Sequence, residues 1–361
     1  MPRSRRLRRP GSRLLTSLDQ DTLRRIQREY SAGDAPWVVA YSGGKDSSAL
    51  LKLVYLAMLS CKSPTRRVTI AYSNTGVMIP AVHDLATDAV QGVVREAQAA
   101  GLPMTARILS PDTQDSFFVR VIGRGYPPPT NKFRWCTERL LVKPMRTILT
   151  PQTHSRRIVL LGTRFEESSE RASTLQKHRL GRGYYYEQTK LSNCVAFCPI
   201  VRYSTPAVWR ILAAPLPPES IRADRLADLY GQAVEDRGYA DAGVASPRKP
   251  RFGCWTCTVV RRDRTLTSLV GNGHPELAPL LAFRNWLQEI REDRSYRCAR
   301  RRNGAAGPGP LTLAGRRRVL RHLLATQASI GRVLITPEER RAISALWRRD
   351  RSSDIYMRLE R

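Results

Sequence analysis

No apolar run in this 361-residue chain reaches the about 20 residues that a membrane helix requires. The richest stretch, residues 47–61, is interrupted by Lys52 and is too short, so a soluble, cytoplasmic protein with no membrane partner is expected. The opening MPRSRRLRRPGSRLLTSL lacks the long apolar stretch and small-residue cleavage site of a targeting signal. It has no acid before Asp19, and residues 1–30 are expected to form a flexible basic arm.

Acids are scarce throughout: 31 Asp and Glu face 61 Lys and Arg, a net charge of +30. Such a field disfavours basic partners and draws in polyanions, whose phosphates release counterions on contact. An arginine-rich proteome produces the same composition, so charge suggests nucleic acid without specifying it. The five histidines, at positions 83, 154, 178, 274 and 322, show no metal-ligand spacing. Internal repeats are absent, and so is the Gly-x4-Gly-Lys-Ser of a Walker loop. Seven unevenly spaced cysteines argue against a secreted disulfide framework and for metal-binding or reactive thiols in a reducing compartment.

What the chain does contain is an alternation of strand and helix patterns. Runs at 37–42, 68–73, 104–109 and 158–163 read as buried parallel strands, and 47–61, 80–100 and 138–149 as helices. The alternation predicts an α/β fold, a doubly wound parallel sheet with ligands beyond the carboxyl ends of its strands. After about residue 204 the patterns are helical, at 205–214, 220–233, 275–293, 311–327 and 337–350. The expected organisation is an arm over 1–30, a nucleotide-binding sheet domain over 31–204 and a helical carboxyl-terminal region over 205–361. That last region would carry a cysteine loop and a basic surface. Residues 241–251 and 300–310, rich in Gly, Pro and basic side chains, read as loops.

The segment VVAYSGGKDSSALLKL runs from a buried strand through a glycine loop into a helix. That order places backbone amides at a helix amino terminus, where they hold pyrophosphate oxygens. Gly43 and Gly44 permit close approach, Ser42, Ser47 and Ser48 offer hydroxyls, and Lys45 adds charge. Asp46 is a candidate Mg2+ ligand or helix cap.

SGGKDS resembles the PP-loop of the ATP pyrophosphatases, the adenine nucleotide alpha-hydrolase-like superfamily that includes adenylylsulfate reductases and tRNA thiolation enzymes. The resemblance implies cleavage of ATP between its α and β phosphates. It extends to Asn74-Thr75-Gly76, and to Gly162-Thr163-Arg164 followed by Glu166, Glu167, Ser168 and Arg171. Comparable segments line the nucleotide site in phosphoadenylylsulfate reductase-like members, where Asp is usual in place of Asn74. Arg164 and Arg171 are positioned to fork onto phosphate, although Glu and Arg so placed also form purely structural ion pairs.

Cys254-Trp255-Thr256-Cys257 is a C-x-x-C unit, and Cys136 lies in FRWCTERL before a helix pattern. Three thiolates select zinc or an iron–sulfur cluster, and spacing alone does not separate the two. FRWCTERL, RFGCWTCTVV and RNGAAGPGPLTL resemble the DndC and SspD group of DNA phosphorothioation proteins. That resemblance covers roughly residues 37–324 and implies a 4Fe-4S cluster, ATP hydrolysis and sulfur insertion into the DNA backbone. It also implies a cysteine desulfurase as sulfur donor and other phosphorothioation subunits as partners.

The family pattern often carries a further cysteine just before the G-C-W-T-C unit, where this chain reads GVASPRKPRFG. The fourth ligand is therefore Cys198, Cys194 or Cys298, or else one iron is left open for sulfide. Cys61, at the end of an apolar helix pattern, reads as a structural thiol.

The expected catalytic residues are Lys45, Asp46, Cys136 and Arg164, with the cluster on Cys136, Cys254, Cys257 and Cys198. An adenylylsulfate-type oxidoreductase would require a tail cysteine, and none follows Cys298. A tRNA thiolation enzyme, and a non-catalytic DNA-binding subunit with a structural cluster, remain alternatives.

Overall fold

Trp37–Tyr41, β1, is fully apolar in its buried positions because it lies inside a sheet covered on both faces. In the computed structural model, which describes residues 14–150, 157–181, 183–187, 194–233, 250 and 252–351, six strands form one sheet. The others are β2 (Val68–Ser73), β3 (Met104–Leu109), β4 (Arg157–Leu160), β5 (Tyr185–Glu187) and β6 (Cys194–Phe197). Their order is β3-β2-β1-β4-β6-β5, parallel except for β5, which runs antiparallel to β6 at one edge. The α/β expectation holds, and the order reverses between β1 and β4. Beyond the carboxyl ends of those two strands lies the switch-point crevice where such sheets bind ligands.

The chain divides into two compact units. The first takes the described residues within 14–73, 81–109 and 145–227, and the second those within 74–80, 110–144 and 228–351. Segments after β2 and β3 thus belong to the second unit, while helix α6 (Thr205–Ala213) belongs to the first. Lys52, on helix α2 (Lys45–Leu59), donates to Leu212 O at 3.0 Å and Ala214 O at 2.7 Å, tying α6 to the sheet unit.

The expectation of a flexible arm is corrected for its carboxyl half; residues 1–13 lie outside those described. Ser17–Ser31 is a helix, α1, begun by a capping box between Thr16 and Asp19. Ile26 and Tyr30 face its packed side, and Asp19, fully buried, accepts from Tyr203 Oη at 3.0 Å and Arg210 Nη2 at 3.1 Å. Burial raises the Asp19 carboxyl, but the bonds from Thr16, Arg210 and Tyr203 outweigh it and hold the group below its ordinary value.

In the second unit, residues 119–123 form a buried π-helical turn. Arg316 of helix α10 (Leu313–Ile330), itself fully buried, donates to Gly123 O at 2.5 Å and to Asp350 at 2.9 Å. Trp347 of α11 (Pro337–Arg351) donates to Ile122 O at 2.8 Å. Helix α9 (Ala278–Glu292) buries Leu280, Phe283, Leu287 and Ile290. No described helix is long and apolar enough to cross a membrane.

Candidate functional site

In the first unit, β1 delivers the chain to Ser42, and α2 starts at Lys45 with Gly44 as its cap and no side-chain bond closing it. Two glycines set the shape of this turn. Gly43 has φ 75°, and a Cβ there would stand 2.6 Å from the Ala86 side chain. Gly162, just after β4, lies so close that a Cβ would meet the Asp46 carbonyl carbon and oxygen at 2.9 Å. Both positions exclude a side chain, and the loop is held between the ends of β1 and β4 and helix α3 (Pro80–Ala99).

The loop hydroxyls brace the turn. Ser47 Oγ accepts from Ser42 N at 3.2 Å, lies 3.1 Å from Ser42 Oγ and donates to Gly44 O at 3.0 Å. Ser48 Oγ is 3.2 Å from the hydroxyl of Tyr41, whose ionisation is pushed up to about 12 by burial. Ser42 is exposed, whereas Ser47 and Ser48 are buried. The helix dipole and the amides of this first turn therefore point out past Ser42, an anion-binding arrangement.

Arg164 and Asp46 were expected at the nucleotide, and the structure uses them differently. Arg164 is fully buried and its guanidinium is distributed over protein partners. Nε donates to Asp46 Oδ1 at 2.6 Å, Nη1 to Tyr203 O at 2.8 Å and Glu166 Oε2 at 3.2 Å, and Nη2 to Thr205 Oγ1 at 3.3 Å. It is a structural pivot and presents no fork to a phosphate. The other Asp46 oxygen accepts from Lys45 Nζ at 2.8 Å. Glu167 accepts from Arg164 N at 2.9 Å and so holds the backbone of the pivot. The side chain of Arg171, in helix α5 (Ser169–Lys177), lies outside those described.

In the second unit, Asn74 closes a turn by accepting from Gly76 N at 2.9 Å, with Gly76 at φ 75°. The turn presents residues 75–79 to the C-x-x-C loop. Trp255 N donates to Val77 O at 2.9 Å, Ile79 N to Gly253 O at 3.4 Å, and Thr75 Oγ1 lies 3.3 Å from Cys254 Sγ. The segment expected to line the nucleotide site is thus, within this unit, the support of a cysteine loop.

Cys136, Cys254 and Cys257 are each half-buried. Burial pushes the Cys254 thiol up to about 12, and the charges of Cys257 and Cys136 push it the same way while the Thr75 bond opposes them. The Cys136 thiol is raised by burial and then by Cys257. The three sulfurs are therefore close enough to act on one another. Among the described residues, however, no group of three His, Cys, Asp or Glu side chains is spaced to hold a single metal ion.

The remaining cysteines lie elsewhere. Cys198, expected as a ligand, is fully buried in the first unit's core with Tyr186, Ala196, Val201 and Cys194, and burial alone pushes its thiol up to about 12. A thiol so packed leaves no room for iron, so Cys198 and Cys194 are core residues. Cys298 is buried against Leu313, and Cys61, just past the end of α2, donates to Ala57 O of that helix at 3.3 Å.

Sequence reasoning missed the residues that brace the C-x-x-C loop. Arg284, 1% exposed, donates to Cys257 O at 2.8 Å and Arg261 O at 3.1 Å, and also to Val260 O. Arg291 donates to Thr258 O at 2.6 Å and Pro129 O at 3.0 Å. Both follow an apolar α9 residue, Leu280 or Leu287, by four positions, and this placement on the apolar stripe was the available signal.

No family model matches the chain, and no curated protein sequence does. Among solved structures, a phosphoadenylyl-sulfate (PAPS) reductase from Candida auris in a phosphate complex is similar at 13% identity and TM-score 0.33, over 56% of this chain and 89% of that one. An FMN adenylyltransferase from Candida glabrata, in complex with FAD and inorganic pyrophosphate, gives 12% and 0.34 over 60% of each chain. The U34-tRNA thiolase NcsA from Methanococcus maripaludis, with its 4Fe-4S cluster, gives 12% and 0.33 over 58% of this chain and 71% of that one. Likeness of this degree carries no argument about the site.

Proposed function

We propose that the protein is an ATP-cleaving sulfurtransferase that replaces a nonbridging oxygen of a DNA backbone phosphate with sulfur. The observation that carries this reading is the turn at residues 42–48, where two glycines that admit no side chain set an uncapped helix start at the sheet's switch point. Such a turn suits the β and γ phosphates of ATP. The DNA phosphate oxygen attacks the α phosphorus and pyrophosphate leaves, with Lys45 and the helix start stabilising its charge. Sulfide then attacks the activated DNA phosphorus and AMP leaves with the original oxygen.

Arg164 keeps Asp46 fixed, and Asp46 in turn positions the Lys45 ammonium. No step here is assigned to magnesium.

The thiols of Cys136, Cys254 and Cys257 are the proposed holders of a 4Fe-4S cluster. The choice of cluster follows the resemblance of FRWCTERL and RFGCWTCTVV to the DNA phosphorothioation proteins, since three thiolates by themselves suit either group. A bound cluster supplies a soft site that retains sulfide near these residues. The net charge of +30 supports a polyanionic substrate, and a cysteine desulfurase and other phosphorothioation subunits are the proposed partners.

The test is anaerobic purification with iron and acid-labile sulfide counts, combined with pyrophosphate release from ATP in the presence of DNA and a desulfurase. About four irons, with release lost in Ser42→Ala, supports the reading. Zinc without sulfide, or no ATP cleavage with every component present, overturns it, and release that requires tRNA in place of DNA reassigns the substrate.

A further inference from the structure

The second unit contains a cavity of about 890 Å³ that the reaction above does not use. Residues 125–133 form one wall, and the other is built from the end of α9 and the 297–310 loop. That loop folds back on itself through bridges between Arg297 and Leu311 and between Arg300 and Ala306, with Arg301 N donating to Ala305 O at 2.9 Å. It carries the Arg-rich tip at 300–302.

The cavity has an aromatic floor and a cationic rim. Phe133, 46% exposed, stacks on Tyr126 with ring centres 6.2 Å apart and planes at 19°. Tyr126 meets Trp135 edge-on at 5.5 Å, and Trp135 stacks on Phe117 at 5.6 Å, so the exposed ring ends a ladder anchored in the core. The cations divide into two kinds. Arg297 is occupied by the carbonyls of Gly309 and Pro308, Arg291 by those of Pro129 and Thr258 and by Glu292, and Arg302 by the carbonyl of Arg124 and the Tyr126 ring. Lys132, Arg294 and Arg301 are exposed, and their side chains have no partner among the described residues. Glu292, the one carboxylate of the lining, is bound by Arg291.

A rigid exposed ring among unpaired cations suits a chain that offers flat rings and phosphates together. Bases inside a duplex are stacked on each other and cannot enter a concave pocket unless they are extruded. We propose that this cavity binds an unpaired stretch of DNA, one base stacking on Phe133 and the adjoining phosphates meeting Lys132, Arg294 and Arg301. The inference rests on DNA being the substrate and adds that the strand is presented locally unpaired.

The test is fluorescence anisotropy of the full-length protein with a labelled single-stranded DNA oligonucleotide, its duplex and an RNA of the same sequence. Phe133→Ala and Arg301→Ala each weaken single-strand binding by about tenfold, Phe133→Trp restores it, and the single strand binds more tightly than the duplex. Unchanged binding in both alanine variants, a preference for duplex, or tighter binding of RNA overturns the proposal. Phe133 and Arg301 are exposed, so these variants fold. Pyrophosphate release by wild type separates the two failures: release with unaffected binding in the variants defeats the cavity alone, and no release with affected binding defeats the sulfur-transfer reading alone.

Discussion

The hydroxyl of Thr75 lies 3.3 Å from the sulfur of Cys254, across 179 residues of sequence. The hydrogen bond joins the turn after β2 to the C-x-x-C loop, and it partly offsets the rise that burial imposes on the Cys254 thiol. Hydrogen bonds to ligand sulfurs tune the potential of an iron–sulfur cluster.

Replacing Cys136, Cys254 or Cys257 with Ser is expected to remove iron and acid-labile sulfide from anaerobically purified protein, with the far-ultraviolet circular dichroism retained. Thr75→Val is expected to keep the iron and shift the cluster's midpoint potential to more negative values in a redox titration. Full iron content in all three cysteine variants would rule out this ligand set.

Arg164 and Lys45 both contact Asp46, yet their substitutions should separate stability from catalysis. Arg164→Met removes the buried partner of a carboxylate and is expected to cost about 3–5 kcal/mol in urea unfolding. Lys45→Ala is expected to lose about 100- to 1000-fold in pyrophosphate release with a smaller loss of stability. Equal losses of stability in the two variants would contradict this division of roles.

Gly162→Ala drives a methyl group into the Asp46 carbonyl, and Gly43→Ala combines a contact at 2.6 Å with a positive φ. Each is expected to destabilise the protein by about 1–3 kcal/mol and to weaken ATP binding measured by calorimetry. Gly101→Ala is the control: its φ is also positive, at 69°, but a Cβ there meets nothing within 4 Å. It is expected to lose stability while keeping ATP affinity.

Lys52 is 3% exposed, and burial pulls its ammonium down from 10.5 to about 8. Between those values the unfolded chain holds the proton and the folded chain releases it, so raising the pH favours folding. Relative to Lys52→Met, the wild type is expected to gain about 1–3 kcal/mol of unfolding free energy from pH 8 to 10.5. Parallel pH profiles for the two proteins would show that Lys52 keeps its proton.

The parallel strands at 37–41, 68–73 and 104–109 and the helices that follow them were legible because an apolar run, a turn and a helical period are local properties. The short strands 185–187 and 194–197 were harder to read, since three or four residues carry too little pattern to define a strand. The helix at 17–31 was hidden by its charge: its Arg residues lie mainly on the exposed face, while Ile26 and Tyr30 supply the buried one.

The sequence by itself determined the glycine turn before a helix, the positions of the thiols and the excess of positive charge. It could not say which charges would be consumed by the fold. Asp46 and Arg164 are 118 residues apart, and only the closing of β1 against β4 makes them partners. Nor could it separate Cys198 from Cys254, since a cysteine has the same composition in a core as in a site. Packing separates them, because Cys198 is enclosed by the sheet unit's core whereas Cys254 lies half-buried in a loop beside Thr75, and such surroundings are created only by the tertiary structure.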